Sequence, residues 1–243
     1  MEDKIKEAKA IIDNASSITV LTGAGISAES GIPTFRGEDG LWRKFRSEEL
    51  ATQEAFQRDP KLVWEWYDWR RGLVKEAMPN PGHYALVNLE NEKTNFTLVT
   101  QNIDGLHQLT GNRNIIEMHG NLWQIRCTSC GVVEENHDVP LKEIHPKCKN
   151  CDALGRPNVV WFGEMIPMPI IDNILIAIDK CQVMLIVGTS GIVEPAASMG
   201  LVAKHTGKTV IEVNLETTPN SSHYDISILG KSGEILPMLC SGV

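Results

Sequence analysis

Five times along the chain a short run of β-branched and aliphatic residues stops at a cluster of small and polar ones. Residues 18–21 end in Thr22-Gly23-Ala24-Gly25, and 96–100 end in Gln101-Asn102-Ile103-Asp104. Residues 115–118 end in His119-Gly120, 183–187 in Gly188-Thr189-Ser190, and 209–213 in Asn214. Runs this short and this apolar read as strands buried on both faces. Helical patterns lie between several of them. Residues 2–14 put Ile5, Ala8, Ile11 and Ile12 on one side, and 195–205 form a second helical stretch. Strand and helix in alternation predict a parallel α/β sheet. Ligands of such sheets bind outside the carboxyl ends of the strands, so the five polar clusters are expected to face one crevice.

Two segments break the alternation. Residues 38–78 read as helical and are rich in tryptophan, and 123–155 carry four cysteines. The expected organisation is one α/β domain made of 1–37, 79–122 and 156–243, with a helical insertion at 38–78 and a metal-binding module at 123–155. Cys127-Thr-Ser-Cys130 and Cys148-Lys-Asn-Cys151 are two C-x-x-C knuckles separated by 17 residues. That spacing suits one zinc ion held by four thiolates, which leaves no open position for catalysis. The alternatives, two disulfides or a redox dithiol, fit poorly with an N-terminus that shows no apolar leader. Cys181 and Cys240 lack a partner motif and are expected to behave as small apolar residues.

Charge narrows the partners. Lys plus Arg number 23 against 31 Asp plus Glu, a net charge of −8. This argues against charge-driven binding to nucleic acid or to an anionic membrane. The most apolar stretch, 170–187, is interrupted by Asp172, Asn173, Asp179, Lys180 and Gln182, so no membrane span is expected. The expected location is cytoplasmic.

The first polar cluster continues as a glycine-rich turn. Gly23, Gly25 and Gly31 are spaced G-x-G-x₅-G, and Thr34-Phe35-Arg36 follows closely. Glycines here let backbone approach a phosphate, and a following helix start favours negative charge. A plain strand-to-helix turn would also use them. The spacing departs from the G-x-G-x-x-G of hydride-transferring dehydrogenases.

Residues 23–37, Gly-Ala-Gly-Ile-Ser-Ala-Glu-Ser-Gly-Ile-Pro-Thr-Phe-Arg-Gly, resemble the cofactor-loop signature of the sirtuins, NAD-dependent protein-lysine deacylases. Gln101-Asn-Ile-Asp104, His119-Gly120, the four cysteines, Val159-Val-Trp-Phe-Gly-Glu164, Gly188-Thr-Ser190 and Val213-Asn214 are similar to the remaining family motifs, in family order. The resemblance implies a Rossmann-like parallel-sheet domain, an inserted zinc module and a cleft for NAD and acyl-lysine. It also implies the reaction: the acyl oxygen attacks the nicotinamide ribose, nicotinamide leaves, and O-acyl-ADP-ribose and free lysine are the products. His119 would be the general base, an imidazole whose ordinary pKa near ~6.5 suits proton transfer. Asn102 and Asp104 would hold the nicotinamide ribose and carboxamide, assisted by Gln101 and flanked by Ile103. Gly23, Ala24, Gly25, Ser27 and Arg36 would serve phosphates and ribose, and Phe35 would shield the reactive sugar. Gly188, Thr189, Ser190, Asn214 and Ser232 would form the adenosine end. The six other histidines carry no comparable context. Val160, Phe162 and Gly163 would present an edge to which an extended substrate peptide adds.

One helix adds a candidate for acyl recognition. Asp59-Pro60 is a strong helix start, with a cap residue and then proline at the first position. Leu62, Trp66, Trp69 and Leu73 form one stripe, and Val63, Tyr67, Arg70 and Val74 a neighbouring one. Tyr67 and Arg70 share a face, where a phenol and a guanidinium fork can hold a carboxylate. Snorkelling of Arg70 to solvent is the alternative. The Tyr-x-x-Arg pair matches the sirtuin class that removes succinyl and malonyl groups, and leaves room for acetyl. Competing readings are protein ADP-ribosylation at the same NAD site and a non-catalytic zinc-ribbon module.

Overall fold

The structure, a computed structural model, describes residues 1–35, 40–41 and 46–240. Strands are β1 Ser17–Thr22, β2 Asn95–Thr100, β3 Ile115–Glu117, β4 Gly120–Cys127, β5 Val133–Glu135, β6 Gly155–Val159, β7 Val183–Val187, β8 Thr209–Asn214 and β9 Ile226–Leu229. The five strands expected from the sequence are all present. The edge strand β9 had no signal beyond two isoleucines and a leucine around a serine.

Six strands pair in parallel in the order β3-β2-β1-β7-β8-β9. Counted within this sheet alone, that is the 3-2-1-4-5-6 order of the Rossmann fold. Every residue of β1 and β7 is buried, which is why both lack polar alternation. Alternate side chains pack on opposite faces. Val20, Leu185 and Val187 meet Ile12, Leu86, Leu89 and Leu236 on one side. Leu21, Met184 and Ile186 meet Ile174, Ile178, Met199 and Ala203 on the other. The strand order reverses between β1 and β7, so the ligand crevice of the fold lies at their carboxyl ends.

The two interruptions build one body. Helices Ser47–Leu50, Gln53–Arg58 and Pro60–Glu76 share a core with the antiparallel sheet β5-β4-β6. Phe56, Trp64, Trp66 and Tyr67 pack with Leu122, Val159 and Trp161, and the Trp64 indole donates to the Gly155 carbonyl at 2.9 Å. The small sheet spans 120–159, wider than 123–155, because β4 and β6 pair from Gly120–Val159 to Cys127–Gly155.

The long helix starts as its sequence demands, with Asp59 Oδ1 accepting from the Leu62 amide at 3.0 Å. Of its two stripes, the one carrying Tyr67 and Arg70 is buried throughout. The other is only partly covered, since Leu62 and Trp69 are exposed. Arg70 therefore does not snorkel.

Candidate active site

The loops after β1 and β7 touch through their backbones. The Gly25 amide donates to the Gly188 carbonyl at 2.8 Å. A Cβ on Gly25 would lie 2.6 Å from Gly188 Cα, and one on Gly188, at φ +58, would lie 2.6 Å from the Ile26 nitrogen. Contact between the two loops is thus enough to require glycine at both positions.

A cleft of about 1720 Å³ opens above this contact, between the carboxyl edge of the parallel sheet and the second core. Gly23, Ala24, Gly25, Phe35, Gln101, Asn102, Ile103 and His119 line it. So do Gly188, Thr189, Ser190, Asn214 and Ser232, and across from them Tyr67, Arg70, Val160, Phe162 and Gly163. Two expected site residues stand behind the wall. Ser27 and Asp104 are buried, and the Ser27 hydroxyl donates to Asp104 Oδ2 at 2.8 Å. Asp104 Oδ1 accepts from the Leu106 amide at 2.9 Å, so both carboxylate oxygens are engaged within the protein. Burial raises the Asp104 pKa, and these bonds and Arg70 oppose the shift. Asn102 bridges wall and cleft, its amide donating to Ser27 Oγ and to the Gly23 carbonyl, each at 3.1 Å. Thr189 ties two further loops, accepting from Gln101 Nε2 at 3.0 Å and, through its carbonyl, from Asn214 Nδ2 at 2.8 Å. Ser232 bonds to Glu29 at 3.2 Å. Arg36 lies outside the described residues.

His119 is set up as a base. Its Nδ1 lies 3.0 Å from the Gln101 carbonyl, which can only accept, so Nδ1 carries the proton and Nε2 is bare. Burial pushes its pKa below the ordinary value, opposed by that bond to Gln101. Such a ring is neutral at physiological pH and able to take a proton.

Tyr67 and Arg70 sit together at the second-core wall, 2 % and 5 % exposed. The Arg70 guanidinium carbon lies 4.8 Å from the Phe35 ring centroid and 5.0 Å from that of Trp66. Among the described residues none accepts a hydrogen bond or forms an ion pair with this guanidinium. Burial lowers its pKa and, acting on the phenol, raises that of Tyr67. Buried cations are normally paired, and this one lines the cleft against two aromatic rings. At the proposed peptide edge the amides of Val160, Trp161 and Phe162 are already bonded to His119 O, Glu164 Oε2 and Ala51 O, each at 2.9 Å. The Trp161 carbonyl is taken as well, by the Glu164 amide at 3.0 Å.

The four cysteine sulfurs of Cys127, Cys130, Cys148 and Cys151 lie within 4.8 Å of one another. Cys127 and Cys151 are 3.5 Å apart, and Cys130 and Cys148 3.7 Å. These separations exceed a disulfide and match the ~3.8 Å edge of a tetrahedron with ~2.3 Å zinc–sulfur bonds. The Ser129 and Cys130 amides donate to Cys127 Sγ and the Asn150 amide to Cys148 Sγ, the turn geometry that favours thiolates. The donor set fits one closed zinc site. Cys181 and Cys240 are buried, and burial raises their thiol pKa, to about 12 for Cys240.

Residues 23–195 match the family model described as Sir2 family. The chain belongs to the Sir2 family. It is 54% identical over 216 residues to the NAD-dependent protein deacylase of Aquifex aeolicus, covering 89% of this chain and 90% of that protein. It is 48% identical over 238 residues to the NAD-dependent protein deacylase of Pyrococcus abyssi, covering 96% and 95%. Among solved structures, a Sir2 homolog–NAD complex superposes with a TM-score of 0.91 at 45% identity, over 97% of this chain and 92% of that one. A Sir2–p53 peptide–NAD⁺ complex does so with a TM-score of 0.83 at 30% identity, over 96% and 95%.

The Sir2 cleft fits a dinucleotide by its position at the strand reversal, its size, and its amide and hydroxyl lining. Sequence reasoning overlooked part of its support. Of the histidines set aside, His83 and His107 are both buried, with ring centroids 4.9 Å apart. His107 Nε2 lies 3.1 Å from Thr22 Oγ1, which is bonded to Thr100 Oγ1, and that oxygen accepts the Asn102 amide at 3.1 Å. His107 stands three residues after Asp104 in the same segment, a cue that was available. Arg71, fully buried, was also missed. It donates to the Leu122 carbonyl through Nε and Nη2 at 3.1 and 2.9 Å, and to Asn136 Oδ1 at 2.6 Å.

Proposed function

We propose that this Sir2 chain is an NAD-dependent protein-lysine deacylase that removes succinyl and malonyl groups, and acetyl groups as well. The observation that carries the acyl preference is Arg70: a buried guanidinium beside a phenol, facing the cleft with no protein acceptor among the described residues. A carboxylate at the end of an acyl chain would take two bonds from the guanidinium and one from Tyr67. An acetyl group has no such acceptor and would leave Arg70 to water.

When bound, NAD supplies an electrophilic ribose carbon and a nicotinamide leaving group. Gln101 and Asn102 orient its hydroxyl and carboxamide groups from the wall. Asn102 can do so because Ser27 and Asp104 hold its side chain from behind. His119 Nε2 takes a proton from a hydroxyl presented in the cleft, while the Gln101 carbonyl stabilises the resulting imidazolium. Phe35 covers the cleft and limits water. Gly188, Thr189, Ser190, Asn214 and Ser232 are proposed for the adenosine end. Cys127, Cys130, Cys148 and Cys151 would hold one structural zinc, which supplies cross-linking and no chemistry. The partners are proteins or peptides carrying acylated lysine.

The test is mass spectrometry of one mixture containing the protein, NAD, and equal amounts of one peptide in succinyl-lysine and acetyl-lysine forms. Faster loss of succinyl, with succinyl-ADP-ribose appearing, is the expected result. Faster loss of acetyl would keep the deacylase and remove the carboxylate reader. ADP-ribose on protein, with both peptides intact, would replace the reading by ADP-ribosyl transfer.

A further inference from the structure

We propose that Trp161 is a specificity-determining positioning residue: its indole N–H, by donating to the Tyr67 oxygen, directs the Tyr67 proton into the cleft toward the acyl carboxylate. The inference rests on the carboxylate reading of Tyr67 and Arg70.

Trp161 Nε1 lies 3.0 Å from Tyr67 Oη, and both residues are buried. An indole nitrogen can only donate, so it occupies a lone pair of the phenol oxygen and cannot accept the phenol proton. That proton must be given to something else. Among the described residues nothing in the protein accepts it. Tyr67 lines the cleft with Arg70, so an acyl carboxylate there meets a phenol O–H and a guanidinium as converging donors. Without the indole, the hydroxyl could turn its proton away and present a lone pair, which would repel the carboxylate.

The indole is itself immobilised. The Arg156 guanidinium carbon sits 3.5 Å from its ring centroid, and the Phe56 ring centroid lies 5.2 Å from it. Arg156 is pinned by two bonds to Glu164, at 2.6 and 2.8 Å, and by one to the Val159 carbonyl at 2.9 Å. Glu164 also accepts the Trp161 amide at 2.9 Å. Gly163, at φ +83, lets the chain reverse so that Glu164 can reach back. The clamp therefore runs from Arg156 and Glu164 through Trp161 to Tyr67. It gives a buried tryptophan nitrogen a task that packing alone does not need.

The test compares kcat and KM on succinyl-lysine and acetyl-lysine peptides for Trp161→Phe, Tyr67→Phe, the double variant and Arg70→Met. Losing one oriented hydrogen bond should lower the succinyl-to-acetyl ratio of kcat/KM by about five- to tenfold in Trp161→Phe, through KM rather than kcat. The double variant should show the same succinyl-to-acetyl ratio as Tyr67→Phe alone, because the indole acts through the hydroxyl. If Trp161→Phe folds poorly, 3-benzothienylalanine at position 161 keeps the ring shape without the donor and should give the same loss. A ratio unchanged by both replacements, while Arg70→Met still lowers it, would overturn the role of Trp161 and keep the carboxylate reader. A ratio unchanged by Arg70→Met as well would overturn both.

Discussion

The sheet core and the second core solve different problems. The sheet core is aliphatic on both faces, and backbone ladders position it. The polar groups it presents to the cleft appear where strands end, at Gln101, Asn102, His119 and Thr189. The second core is aromatic and buries Tyr67, Arg70, Arg71 and Arg156 among tryptophans. Its polar groups come from inside, on side chains whose positions depend on their neighbours. One cleft edge is thus set by strand register and the other by side-chain packing. On the proposed function, chemistry common to all acyl groups belongs on the first, and discrimination among acyl groups on the second.

The largest expected effect separates the two cores directly. Chelating zinc should lower Tm by on the order of 10 °C, because residues 128–154 bury little beyond Leu141 and Cys148. Hydrogen exchange should report protection lost first in β4, β5 and β6 and retained in β1, β7 and β8. Simultaneous loss everywhere would mean that the cores fold as one unit.

Next comes His119→Ala, expected to cut kcat by ~10²–10⁴ while NAD binding, followed by titration, survives. Because burial depresses the pKa of His119, kcat/KM should fall on the acid side with an inflection below 6.5. An inflection well above 7 would mean a charged ring at neutral pH and a different base.

How legible each core was follows from what holds it. Buried strands declare themselves by short β-branched runs, so five of the six parallel strands and their polar ends could be read directly. The C-x-x-C pairs carry their ligand geometry in their spacing. The second core could not be read, because its defining contacts join distant segments: Trp161 and Tyr67 are 94 residues apart. Single-segment periodicity showed the Tyr67–Arg70 stripe but not that it was the buried one. Nor could it show that the helices and the cysteine module share a core.

The buried His83–His107 pair gives a pH test on the sheet side. Burial holds His83 at about 4 and His107 at about 3. The unfolded chain takes up these protons near ~6.5, whereas the folded chain cannot until the pH is far lower. The stability present above pH ~6.5 is therefore lost as pH falls, by up to about 2 kcal/mol per histidine at pH ~5. Urea midpoints at pH 7 and 5 would measure it. His107→Gln should reduce the slope, and an unaltered slope would assign it to other groups.

The smallest effects sharpen the comparison most, because they divide two neighbouring arginines on one helix. Arg71 spends its donors on Leu122 and Asn136, and burial lowers its pKa to about 10, so its role is to close the second core. Arg71→Met should strand the Leu122 carbonyl and cost about 1–3 kcal/mol of stability, read by denaturant titration. Arg70→Met breaks no internal hydrogen bond and removes a desolvated charge. It should leave Tm unchanged or raise it. Its effect should appear instead in KM for succinyl-lysine, raised about 10- to 100-fold, and far less for acetyl-lysine, because only the former loses a charge-assisted pair. Equal changes in KM for both substrates, or a fall in Tm matching that of Arg71→Met, would make Arg70 a second structural cation and leave the cleft without its carboxylate reader.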